Sequence, residues 1–179
     1  SSLFNRQDVI DKLPPTLSEE DFIGIMRLSM LTECATDTYV RVFVQSSEDY
    51  NAPWLRRFTE KIWAPDEYTH ADPFKAILLN MGYEEQELDR EIKEAREVVY
   101  VHASGTTPFE LAEFGKIQED LTGGWYTLSR PILAQISPQA GRTVGSIEKR
   151  EVFHKVWYGD IVGIHIDDNP GFVKNIADT

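Results

Sequence analysis

Ile147-Glu148-Lys149-Arg150-Glu151-Val152-Phe153-His154 decides how this chain is read, because Glu151 and His154 lie one helical turn apart within an apolar stripe. Steps of three and four along that run give Val144, Ile147, Glu151, His154, Tyr158 and Ile161. Trp63-Ala64-Pro65-Asp66-Glu67-Tyr68-Thr69-His70 repeats the pattern, and its stripe reads Trp63, Glu67, His70, Phe74, Ile77 and Met81. Two more helical runs each set a Glu on the inward face. One gives Met26, Met30, Glu33, Asp37, Val40 and Val44, and the other Ala112, Gly115, Glu119, Thr122 and Tyr126.

Burying an ionised carboxylate is costly unless it is paired or bound to a metal. Four in one core would repel one another and take up protons. Two divalent or trivalent metal ions remove the conflict. Glu-x-x-His offers an oxygen and a nitrogen ligand from one side of a helix. Two such helices plus one Glu from each of two others form a six-ligand cage: Glu33, Glu67, His70, Glu119, Glu151 and His154. This is the known constellation of di-iron and di-manganese bundle proteins. Mixed carboxylate and imidazole ligands suit iron or manganese, and the lack of thiolates argues against structural zinc. Chance gives roughly 0.4 Glu-x-x-His motifs in a chain of this composition, and this one has two. The competing reading makes His70 and His154 core or boundary residues satisfied by their helical Glu neighbours.

Outward from these stripes, Thr16-Leu17-Ser18-Glu19-Glu20-Asp21 supplies an N-cap with a carboxylate three residues on, predicting a helix to about Ser46. Asn51-Ala52-Pro53 opens a run that persists to Met81, where Gly82 stops it. Pro65 and Pro73 fall inside that run, and each should kink or break it. Glu84 to about Val101 reads as a charged, exposed helix, followed by a break at Ser104-Gly105-Thr106. Thr107-Pro108-Phe109-Glu110 starts a helix to about Arg130, and Ser137-Pro138 starts the last, ending near Gly163 or His165. The expected fold is all-α: four long amphipathic helices in a bundle plus one polar connecting helix. It forms a single domain, with its core at about residues 18–165 and a tail at 166–179.

Composition narrows the function. The 179 residues are 41% apolar and 27% charged, which fits one globular domain and excludes disorder. No apolar run is long enough to span a bilayer, and the start lacks the basic-then-apolar pattern of a secretory signal. A net charge of −12 makes nucleic acid a poor partner for the surface as a whole. The single cysteine, Cys34, permits no intrachain disulfide, which fits a reducing setting, and reads as a buried small residue more than a nucleophile. Gly123-Gly124 has no strand–loop–helix context for a phosphate loop and reads as a point of close helix packing ahead of room for a ligand. His102 and His165 read as loop or helix-end residues.

These segments resemble the soluble acyl-acyl-carrier-protein desaturases, ferritin-like di-iron enzymes that put a double bond into a saturated acyl chain. The resemblance covers roughly Leu28 to Val162. It rests on the two motif stretches, on Phe114-Gly115-Lys116-Ile117-Gln118-Glu119-Asp120-Leu121-Thr122, and on the separations between them. In that family a Trp four residues before the first Glu-x-x-His lies near the metals, and Trp63 matches it. The family's lone bundle Glu follows a Gln and precedes, by three residues, a Thr linked to oxygen activation. Gln118, Glu119 and Thr122 match, and Glu33 fits the first-helix ligand.

The resemblance implies a ferritin-like four-helix bundle and two iron ions, with manganese as a substitute. It implies a catalytic role for Thr122, a substrate carried by acyl carrier protein, a ferredoxin-type electron donor, a homodimer, and a cytoplasmic (or, in a plant, plastid stromal) location. Its chemistry would be two-electron reduction of the irons, activation of O2 and removal of hydrogens from adjacent methylenes. Small residues on the Glu119 helix predict an apolar channel beside Thr122, Gly123 and Tyr126, and Arg56, Arg57 and Lys61 are candidates for docking an acidic carrier, behind the simpler reading of ordinary surface charge. The chain also departs from the family, which usually has an acid before each motif and an Arg just before each His. Asp66 keeps the first acid, Arg150 replaces the second, and Thr69 and Phe153 replace the arginines. These departures favour a second reading, another ferritin-like di-iron oxidase acting on a biosynthetic intermediate. A non-enzymatic metal-binding bundle is the third.

Overall fold

The computed structural model describes residues 4–98 and 107–168, and every regular element among them is helical. Three helices begin where a side-chain oxygen and a returning carboxylate satisfy the exposed first-turn amides. They are α1 (Arg6–Lys12), capped by Asn5 and Asp8; α2 (Glu19–Cys34), capped by Ser18 and Asp21; and α8 (Pro108–Ile136), capped by Thr107 and Glu110. Between α2 and α8 lie α3 (Thr36–Asp49), α4 (Pro53–Phe58), a π-helical turn (Thr59–Trp63), α5 (Ala64–Glu67), α6 (Ala71–Asn80) and α7 (Glu85–Glu97). The last element is α9 (Pro138–Asp168).

The helix expected from Ser18 to about Ser46 is broken at Ala35. The Ala35 amide bonds back three residues to Thr32, and the Thr36 hydroxyl takes the Glu33 carbonyl at 2.8 Å, a side-chain bond that competes with the helix ladder. The break turns the inward face, so Thr36, Phe43 and Ser47 are buried while Asp37, Val40 and Val44 of the expected stripe are half-buried. The run from Pro53 to Asn80 is broken as its prolines require. The π turn, in which the Ala64 amide reaches back to Thr59, widens the backbone ahead of Pro65. Pro65 and Pro73 then fall in the first turns of α5 and α6, where a missing amide costs least. Met81 and Gly82 end α6, with Gly82 at a φ of +95° that only glycine adopts freely.

Helix α8 continues through Pro131 to Ile136, beyond the expected end near Arg130, because Leu133 and Ile136 are buried in the core. A single residue, Ser137, separates it from α9, and the two pack antiparallel along their length. That seam is tight at Gly115 and Gly141. A β-carbon on Gly115 would lie 2.6 Å from the Tyr158 ring, and one on Gly141 would lie 2.5 Å from the Ala134 β-carbon. Close packing therefore belongs to those two glycines. Gly123 has only the Glu151 β-carbon at 3.9 Å, and Gly124 has nothing within 4 Å, contrary to the reading of that pair as a close contact.

Helix α2 packs against α6, and Met26, Met30, Phe74, Ile77 and Leu78 join Tyr126, Leu133, Val144 and Ile147 in the main core. Helix α7 is largely exposed as expected, yet it is anchored on α2 by the fully buried Leu88 and by Arg27 pairing with Glu87 and Glu91 at 2.8 and 3.1 Å. Helix α1, which the sequence pattern did not announce, buries Val9. Helix α9 runs to Asp168, past the expected end near Gly163 or His165, so residues 166–168 of the expected tail are helical, while its remainder, the break at Ser104–Thr106 and His102 lie outside the described residues. His165 falls within α9. No helix among the described residues is long and apolar enough to cross a membrane.

Candidate metal centre

Glu33 stands one residue from the end of α2, Glu67 ends α5, His70 closes the turn before α6, Glu119 lies in α8, and Glu151 and His154 lie in α9. All six side chains converge, and none is more than 7% exposed. Two overlapping sets of ligand atoms form. Glu33, Glu67, His70 and Glu151 make one, and Glu67, Glu119, Glu151 and His154 the other, with the atoms of each set within 4.8 Å of one another. Glu67 and Glu151 belong to both.

The carboxylate oxygens show how the sharing works. Glu67 turns Oε2 toward His70 Nδ1 at 3.3 Å and Oε1 toward His154 Nδ1 at 2.7 Å. Glu151 turns Oε1 toward His70 Nδ1 at 2.9 Å and Oε2 toward His154 Nδ1 at 3.5 Å. Glu33 and Glu119 close the two ends, at 3.5 Å from His70 Nδ1 and 3.6 Å from His154 Nδ1. The imidazoles stack with centroids 5.7 Å apart. The two donor sets thus share Glu67 and Glu151, each adds one further carboxylate and one imidazole, and each could hold a metal ion.

The donor set fits metal ions on a second ground. His70 Nδ1, His154 Nδ1 and Glu151 Oε1 are buried and make no hydrogen bond. They lie at ion-pair distance, but their geometry is not that of hydrogen bonds, and buried polar atoms left so call for a partner. Without metal, protons must fill that role. Burial pushes Glu33 up to about 7 and raises Glu119 well above the usual carboxylate range. Burial alone would lower the two imidazoles, but the facing carboxylates hold His70 up to about 11 and His154 up to about 12. For Glu151, burial works upward and is outweighed by His154 and His70, which hold it below its ordinary value.

Around this cluster lies a layer that stripe reading did not reveal. The Tyr126 hydroxyl, fully buried and stacked on Phe74, donates to Glu33 Oε1. Asp66 faces the outer nitrogens of both imidazoles, with Oδ2 at 3.0 Å from His154 Nε2 and 3.6 Å from His70 Nε2. Arg150 donates to Asp66 Oδ1 at 2.8 Å and to the Thr69 hydroxyl at 2.8 and 2.7 Å. Its position just before Glu151, matching Asp66 before Glu67, was the available signal.

A cavity of about 20 Å³ reaches the cluster from between α2, α3 and α8. Its lining includes Thr32, Thr36, Gln118 and Thr122 together with Tyr39 and Trp63. Thr122 thus stands at the cavity wall, its hydroxyl donating to the Gln118 carbonyl at 3.1 Å. An apolar channel was expected beside Thr122, Gly123 and Tyr126, and the cavity at Thr122 has the mixed lining just given. A groove of about 90 Å³, lined by Phe22, Ile25, Met26, Trp125, Leu128 and Leu133, runs between the first half of α2 and the second half of α8.

Other singled-out residues stand apart. Asp37 meets Tyr68 and Arg96 outside the cluster. Cys34 is buried, and burial pushes its thiol up to about 11, which suits packing over nucleophilic attack. Arg56 is paired with Glu48 and Glu60 at 3.1 and 2.9 Å, so the basic patch around it is partly neutralised within the chain. No protein-family model, curated protein or solved structure matches this chain.

Proposed function

We propose that this protein is an O2-dependent di-iron oxidoreductase of the acyl-carrier-protein desaturase type, built on a ferritin-like bundle in which α2, α5–α6, α8 and α9 supply the ligands. The observation that carries the reading is that Glu67 and Glu151 each present one oxygen to each imidazole. Carboxylates placed so could each serve two adjacent cations at once. Carboxylate and imidazole ligands suit iron or manganese. Bound irons would supply the activation of O2 needed to remove hydrogens from an unactivated carbon.

The chain's own residues bind, orient and enclose. Glu33 and Glu119 complete the two positions, and Tyr126 fixes Glu33 through its hydroxyl. Trp63, Phe43 and Tyr158 pack together behind the site and keep bulk water from that side. The apolar groove along α2 and α8 suits an alkyl chain, which gains about 0.8 kcal/mol per buried methylene. In this reading an acyl carrier protein delivers the substrate, a ferredoxin-type protein supplies electrons, and the enzyme acts as a homodimer. A second reading, oxidation of a polar biosynthetic intermediate, draws on the threonine and glutamine lining of the cavity at the cluster.

The test is to load the protein with Fe(II) without oxygen, add reductant, O2 and a carrier-bound saturated acyl chain, and analyse the product by mass spectrometry. A product lighter by two hydrogens is expected. Turnover of a polar amine or amino acid with no acyl product would replace this reading by the second.

A further inference from the structure

The two halves of the centre differ in what stands behind each imidazole, and the difference lies in Asp66 and Arg150. On the α5 side, the residue before the motif glutamate is Asp66, which reaches across to the His154 of the other helix at 3.0 Å. The matching residue on α9 is Arg150, which has no acceptor to offer His70. His70 Nε2 is left buried without a hydrogen bond, 3.6 Å from the Asp66 oxygen that already serves His154. Arg150 then holds Asp66 by its other oxygen and ties itself to Thr69, fixing the carboxylate in this lopsided pose.

A carboxylate behind a metal-bound imidazole orients the ring and makes it a stronger ligand, and losing such a partner typically costs about 10–100-fold in metal affinity. We propose that Asp66 and Arg150 are positioning residues that make the two cation positions unequal, so that the Glu119–His154 position fills first and the Glu33–His70 position second. This rests on the reading of the cluster as a two-metal centre. Mutual repulsion separates the two binding constants at any paired site, so the order of filling and its control by residue 150 carry the proposal.

Co(II) is the probe, titrated into metal-free protein by calorimetry with the visible spectrum recorded at each step. Glu33→Ala, which spoils the Glu33–His70 position, should keep a single step with the tighter wild-type constant. Glu119→Ala should keep only a weaker one. Arg150→Asp gives His70 the missing acceptor and should tighten the second step about tenfold; it also frees Asp66, so the second step alone is the readout. A gain of affinity cannot arise from damaged folding. Should Arg150→Asp fail to fold, Asp66→Asn decides, because it should weaken the first step about tenfold and leave the second nearly unchanged. The proposal is overturned if Glu119→Ala keeps the tighter constant, if folded Arg150→Asp leaves the second step where it was, or if Asp66→Asn leaves the first unaltered. Absence of any Co(II) binding to the wild type would instead sink the two-metal reading itself.

Discussion

The two Glu-x-x-His segments carry the same side chains on unlike backbones. In α9 the motif sits mid-way along a single helix of 31 residues, held by close packing against α8. In the other segment it sits on a chain that passes through α4, a π turn, α5 and a tight turn before α6. There the His70 amide bonds back three residues to the Glu67 carbonyl at 2.9 Å. Both backbones deliver a carboxylate and an imidazole to one side, because α-helical and tighter turns alike place residues three apart on the same face. Similar side-chain spacing can thus be reached from dissimilar local structure.

The sharpest test of that equivalence removes the two carboxylates common to both donor sets one at a time. If both arms contribute equally, Glu67→Ala and Glu151→Ala should each lose both ions, falling from two metals per chain to nearly none after Fe(II) or Mn(II) loading and desalting. Metal analysis by mass spectrometry reads this directly. Retention of both ions by Glu67→Ala, beside their loss in Glu151→Ala, would make the regular arm the real site and the broken arm a bystander.

Stability against pH tests the same cluster with a smaller effect. In the metal-free fold, Glu33 and Glu119 are raised by burial, and His70 and His154 are raised by their carboxylate neighbours. The folded state therefore holds protons that the unfolded chain gives up. That contribution is complete below the ordinary carboxylate and imidazole values and is lost as pH rises toward about 7 for Glu33 and about 11 for His70. Glu151 is shifted the other way, but its contribution is lost only below the ordinary carboxylate range. Metal-free protein should therefore melt lower at about pH 9 than at about pH 6. Metal ions displace those protons, so binding strengthens as pH rises. A metal at a hundred times its dissociation constant adds about 2.7 kcal/mol per site. The gap between loaded and metal-free melting temperatures should widen with pH and shrink in Glu119→Ala. A gap that is constant with pH would contradict the protonated cluster.

Much of this centre was legible in the sequence because burial of a Glu on an apolar stripe is a statement about periodicity, and periodicity survives small errors in helix ends. Glu151 and His154 lie in a regular helix, where counting by threes and fours holds. Glu67 and His70 were found by the same count although the helix assumed there is broken, since three residues suffice and the breaks fall on either side. The count failed at Asp37, where the turn at Ala35 rotates the next helix. It could not show that Asp66 reaches His154 on the other helix and leaves His70 Nε2 without a hydrogen bond, because that depends on how two helices approach across space. The apolar groove along α2 and α8 was not legible for a related reason. Small residues at Gly123 and Gly124 leave room only if the neighbouring helix is near, and Gly124 faces open space.

The glycines of α8 and α9 provide the finest test, since they separate close packing from mere permissiveness within the regular arm. A β-carbon at Gly141 would sit 2.5 Å from the Ala134 β-carbon and 2.7 Å from its α-carbon. That neighbour is backbone and cannot swing aside, so Gly141→Ala should cost about 1–3 kcal/mol as an overpacked seam. At Gly124 no atom lies within 4 Å of the added methyl. Here glycine only adds freedom to the unfolded chain, and Gly124→Ala should stabilise the helix by about 0.5–1 kcal/mol. In a domain of this size that corresponds to a rise of about 1–4 °C in melting temperature. Because the Gly124 side of α8 faces away from the cluster, the same variant should bind two metals with wild-type constants. A fall in stability at Gly124→Ala, with Gly141→Ala neutral, would mean that the α8–α9 seam is rotated from the one described, and Glu119 would then no longer face Glu151.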